Sequence, residues 1–146
     1  MARYKVLDVS KYVINRSNEK GYGISNLKLQ KLLYFIQAYF LLKRGYPCFG
    51  ETIEAWNFGP VIPVAYHEFK MFGNMNIPNQ TLDFPFLDED LSLIDGVVDY
   101  FSDRSSTDLV WITLHQKPWL DAYSRGEISE IPITSIREYF LDNSNQ

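Results

Sequence analysis

Leu27-Lys28-Leu29-Gln30-Lys31-Leu32-Leu33-Tyr34-Phe35-Ile36-Gln37-Ala38-Tyr39-Phe40-Leu41-Leu42-Lys43-Arg44 is the stretch on which the fold turns. It is apolar on most faces, and a helix of that kind is stable only when other elements cover it. Ser25 or Asn26 can cap its start, Gly45 stops it, and Pro47 reinforces the stop. One polar edge is legible: Gln30, Tyr34, Gln37, Leu41 and Arg44 recur at alternating spacings of four and three, which places the polar members on one line. Lys28, Gln30, Lys31 and Gln37 interrupt the run too often for a membrane span. The expectation is a mainly α, compact single-domain bundle (residues 1–146) around a buried central helix over about 26–44.

Working outward, Val6, Val9 and Val13 form an apolar stripe on a first helix over about Lys5 to Glu19, stopped by Lys20-Gly21-Tyr22-Gly23. Downstream, Thr52 to Phe58 is the strongest strand signal, with Gly59-Pro60 read as the turn that closes it and Pro63 suited to the first turn of a helix over about Pro63 to Phe72. A lone strand needs a partner, and Met75-Asn76-Ile77 is the nearest candidate, giving one small β pair or hairpin. The stretch from Asn79 to Phe86 reads as a loop between Pro78 and Pro85.

A fourth helix starts near Asp88, with Leu91, Ile94, Val98 and Phe101 inward and Asp95, Asp99 and Asp103 four apart on the other side. Ser106 or Thr107 can cap a fifth helix, about Asp108 to His115. Pro118 to Tyr123 begins another turn or short helix, closed by Gly126. Ser135 and Glu138 stand at capping-box spacing before a last helix to about Asp142, and the polar tail 143–146 is expected to fray.

Composition narrows the class. The 146 residues include 46% hydrophobic and 16% aromatic side chains, enough for a sizeable core. One cysteine, Cys48, excludes an internal disulfide and fits a reducing cytoplasm. The first residues have no apolar core of a signal peptide. A net charge of -4 argues against general nucleic-acid affinity. The distribution is uneven, because nine basic residues against two acidic ones fall in residues 1–44. That asymmetry suits pairing between the two halves, or a surface that orients charged partners.

The chemistry-bearing residues do not converge in sequence. His67, His115 and Cys48 show no zinc-type spacing, and there is no phosphate loop or nucleophile elbow. His115 reads as a partly buried histidine that fixes a junction between two helices, Trp119 as a core anchor, and Trp56 as a strand residue packing on the central helix. No metal, cofactor or catalytic group is expected.

Three segments in order carry a resemblance: Leu29, Gln30, Lys31 and Tyr34 of the central run; Glu54 and Trp56 with Gly59, Pro60 and Val61; and Thr113, His115, Pro118 and Trp119. Together they resemble the Panacea antitoxin domain family of phage-associated proteins. The last segment departs slightly, with Leu114 between Thr113 and His115.

The resemblance implies an antitoxin of a bacterial or prophage toxin–antitoxin pair, which neutralises a cognate toxin by direct binding and uses its motif residues as scaffold. One branch of the family is similar to a proteolytic adaptor that delivers its toxin to a bacterial protease. The acidic line Asp95, Asp99 and Asp103 is a candidate partner surface for a basic toxin, and the basic N-terminal third for an acidic one. A DNA-binding autoregulator is the competing class, resting on that basic third alone, with no reading helix of helix-turn-helix type behind it.

Overall fold

The computed structural model describes residues 2–144. Seven α-helices lie among them: α1 (Val6–Glu19), α2 (Asn26–Arg44), α3 (Pro63–Phe69), α4 (Asp88–Tyr100), α5 (Ser106–Leu114), α6 (Lys117–Ser124) and α7 (Ile133–Asp142). Three short strands, β1 (Glu54–Trp56), β2 (Gly59–Val61) and β3 (Ser129–Glu130), form one antiparallel sheet in the order β2-β1-β3.

α2 is the central helix that its sequence calls for. The Ser25 hydroxyl accepts from Lys28 N at its start, and Gly45 takes the left-handed conformation at its end, returning its N–H to the Phe40 and Leu41 carbonyls. It packs against α1, α3, α4, α5, α7 and β2. Leu29, Leu33, Ile36, Ala38 and Phe40 are fully buried within one continuous core. The Lys70–Phe72 segment tightens into a 3-10 turn after α3. No helix among the described residues is long and apolar enough to cross a membrane.

The β element differs from its sequence reading. Gly59-Pro60 is not the turn but part of β2, and Asn57-Phe58 makes the two-residue connection back to β1. Met75-Asn76-Ile77 does not pair with β1; Ile77 instead donates its N–H to the Ile24 carbonyl. A proline fits an edge strand because it has no N–H to donate, and β2 is such an edge.

Three helix boundaries also move. Ser105, not Ser106 or Thr107, caps α5. α7 begins beyond Pro132 with no side-chain cap, and the Ser135 hydroxyl donates to the Pro132 carbonyl, so no capping box forms. α4 ends at Tyr100, which leaves Asp103 outside the helix. In the tail, Asn143 is held by backbone and side-chain bonds to the Tyr139 carbonyl, while 145–146 lie outside the described residues.

Candidate functional site

The polar edge of α2 faces inward, and each member holds a different part of the chain. Gln30 Oε1 accepts from Ile62 N at 3.0 Å, and its amide nitrogen donates to Asn26 Oδ1. Lys31 Nζ donates to the Pro60 carbonyl at 2.9 Å. Tyr34 Oη donates to Gln116 Oε1 at 2.7 Å. Gln37 accepts from Cys48 N and Phe49 N and donates to the Phe49 carbonyl. At the helix end, Arg44 reaches Asp90 Oδ1 at 3.3 Å and the Glu89 carbonyl at 3.0 Å. A helix buried on most sides offers little solvent to satisfy such groups, so the buried ones take their partners from other parts of the chain.

Gly59 is the tightest point of this arrangement. Its φ of +107° is one that side-chain-bearing residues rarely adopt, and a Cβ there would stand 2.8 Å from Lys31 Cε and 2.9 Å from Thr113 Oγ1. Thr113 is fully buried, with its hydroxyl turned onto the Leu109 and Val110 carbonyls of its own helix. Lys31 is also fully buried, with its ammonium 5.4 Å from the centre of the Phe58 ring. Burial lowers its pKa from 10.5 to about 7.

Trp119 closes the other side, its indole N–H donating to the Trp56 carbonyl at 2.7 Å, and buried Pro118 lies in the first turn of α6. Glu54 Oε1 accepts from the Trp56 indole. Leu29, Gln30, Lys31, Tyr34, Glu54, Trp56, Gly59, Pro60, Val61, Thr113, Pro118 and Trp119 thus surround the contacts of the β1–β2 hairpin with α2, α5 and α6.

Trp56 is half-buried and packs on Phe58 and on Tyr66 and His67 of α3. His115 is exposed; its Nδ1 lies 2.6 Å from the Trp111 carbonyl and its ring lies against the Trp111 indole. The helix junction expected of His115 is made by its neighbour Gln116, through Tyr34. An aromatic neighbour one turn away competes well for a histidine at a helix end.

The acidic line has partners within the chain. Asp95 accepts from Tyr12 Oη at 2.6 Å, and Asp99 accepts from Arg16 at 2.9 Å and from Tyr22. Desolvation pushes the Asp99 carboxyl up, but hydrogen bonds from Arg16 and Tyr22 outweigh it and hold the group below its ordinary range. Asp103, beyond the helix, is exposed. A second acidic anchor carries no signal in the sequence reading: Asp90 is fully buried and accepts from Tyr4 Oη at 2.6 Å, with Arg3 and Arg44 beside it. Three of the nine basic residues in 1–44, Arg3, Arg16 and Arg44, are therefore paired with carboxylates from the rest of the chain.

Cys48 is buried, and burial raises its thiol pKa well above the ordinary value, which suppresses the reactive thiolate. Among the described residues no group of His, Cys, Asp or Glu side chains is placed to hold a metal ion.

A helical scaffold whose inward polar residues clasp a β-hairpin defines the class of module, and its sequence places it: the chain belongs to the antitoxin SocA-like Panacea domain family, whose profile matches residues 29–120. It is 40% identical to "Antitoxin SocA" of Caulobacter vibrioides (strain NA1000 / CB15N) over 74 residues. That similarity covers 51% of this chain and 39% of the relative, so the chain spans well under two thirds of that protein's length. No solved structure matches the chain.

Proposed function

We propose that this chain is an antitoxin that neutralises a cognate toxin by direct protein–protein binding in the cytoplasm. The observation that carries the reading is the family match over residues 29–120, joined to a relative named an antitoxin. The motif geometry is consistent with it, because residues such as Gln30, Lys31 and Gln37 are consumed in holding the fold. What remains for a partner is the outer surface, where Met71, Tyr100, Trp111 and Ile128 stand exposed.

The autoregulator reading keeps only part of its source. Of the basic N-terminal residues, Arg3, Arg16 and Arg44 face carboxylates, Lys28 donates to backbone carbonyls and Lys31 is buried. Lys5, Lys11, Lys20 and Lys43 have no ion pair among the described residues and are what is left of that third to meet phosphates.

The test is co-expression with the product of the neighbouring reading frame. Growth arrest by that product alone, rescue by this chain and recovery of the two proteins as one complex support the reading; rescue without a complex contradicts direct binding. The half-life of the toxin with and without the host's ATP-dependent proteases then separates sequestration, which leaves it unchanged, from delivery, which shortens it.

A further inference from the structure

Gly96 stands in the middle of α4, and no neighbour among the described residues outside its own helix backbone crowds it. A Cβ at this position would meet no atom within 4 Å, so the fold itself has room for a side chain. A glycine in a helix interior is less favourable than an alanine. Gly96 lines an apolar furrow of about 240 Å³ between α2 and α4, together with Tyr39, Leu93, Val97, Tyr100 and Phe101. Past Tyr39 and Phe101 the furrow opens into a second depression of about 500 Å³ towards α5 and α7.

The charge of this groove is opposite to that of the chain. Lys43 and Arg104 line its wall, and among the described residues no carboxylate lines either part, although the chain carries four more acidic than basic residues. Neither cation takes part in an ion pair among the described residues, unlike Arg3, Arg16 and Arg44. Two cations without an ion pair among the described residues, at the end of an apolar furrow, complement a segment that is apolar on one side and acidic on the other.

We propose that this groove seats an amphipathic, acidic helix of the toxin, its apolar face crossing α4 at Gly96 and its carboxylates meeting Lys43 and Arg104. The inference rests on the reading of the chain as a toxin-binding antitoxin. Absence of a side chain at Gly96 lets the partner backbone approach closely. The span from Ser92 to Tyr100 is about 12 Å, enough for roughly two turns of a docked helix.

The test titrates the ¹⁵N-labelled chain with two synthetic amphipathic peptides of about 18 residues, which share a leucine face and differ only in a Glu or a Lys polar face. The Glu peptide is expected to shift the amides of Leu93, Val97, Tyr100 and Arg104. It should bind about tenfold more tightly than the Lys peptide, with an advantage that shrinks as salt rises. Lys43→Glu with Arg104→Glu, and separately Gly96→Gln, should each weaken it about tenfold while the circular dichroism spectrum stays unchanged. Equal binding of the two peptides, shifts confined to another surface, or folded variants that bind as well as the unaltered chain overturn the proposal.

Co-purification with the product of the neighbouring reading frame separates the two levels. Capture by the unaltered chain and equally by the variants overturns the groove and leaves the antitoxin reading standing. No capture by the unaltered chain overturns both.

Discussion

Lys31 Nζ donates to the Pro60 carbonyl across 2.9 Å from a side chain with no exposure to solvent, and no carboxylate makes an ion pair with it among the described residues. A lysine is held there because its long stem fills the space under the hairpin and its head reaches a carbonyl that β2 leaves unused. The cost is electrostatic. Burial lowers the pKa to about 7, whereas the unfolded side chain keeps its proton up to about 10.5.

That difference sets a pH dependence. Between pH 7 and 10.5 the unfolded chain binds more protons at this site than the folded one, so stability rises with pH across the window; below about 7 the burial cost is present in full. Urea unfolding of the protein and of Lys31→Met should show their free-energy difference moving in favour of the unaltered chain, by roughly 2 kcal/mol from pH 7 to pH 9. A constant difference contradicts an uncompensated buried amine.

Gly59→Ala should destabilise the fold by about 2–4 kcal/mol, through an unfavourable φ and a Cβ driven against Lys31 and Thr113. Adding Thr113→Ala removes one of the two obstructing atoms, so the glycine substitution should cost less in that background, with a coupling on the order of 1 kcal/mol. Strict additivity in denaturant melts would show that Thr113 does not enforce the glycine.

Asp99 links α4 to α1 through Arg16 and to the turn after α1 through Tyr22. Its depressed pKa means that the contribution is present above the ordinary carboxylate range and is lost as pH falls through the folded value. Asp99→Asn should therefore be less stable than the parent at pH 7, with the gap closing as pH falls below the ordinary carboxylate range. A gap that persists at low pH would assign the loss to packing rather than charge.

Much of this architecture is written in local signals. The apolar run of α2, the Ser25 cap and the Gly45 stop fix the central helix, and the spacing of Gln30, Tyr34 and Gln37 announces an inward polar line. What that line touches is not local. Nothing near Lys31 in sequence distinguishes it from the partly exposed Lys28, because the difference is made by the hairpin that folds over it 29 residues later.

The hairpin was hidden for a related reason. Asn57-Phe58 is a poor match to the usual two-residue turns, while Gly59-Pro60 reads as one, so β2 passes for a turn. The Asp95 and Asp99 series reads as a free acidic face because Tyr12 and Arg16, which meet it, lie more than 80 residues away. Gly96 looks like an ordinary flaw in a helix until its open surroundings are seen.

Each inward polar residue of α2 holds its own segment of chain, and site-resolved amide hydrogen exchange reads that hold residue by residue. Gln30→Met should speed exchange at Ile62, and Gln37→Met at Cys48 and Phe49, each by about tenfold beyond the change seen in the core of α2. Uniform acceleration along the chain, or unaltered protection at those three amides, would contradict it.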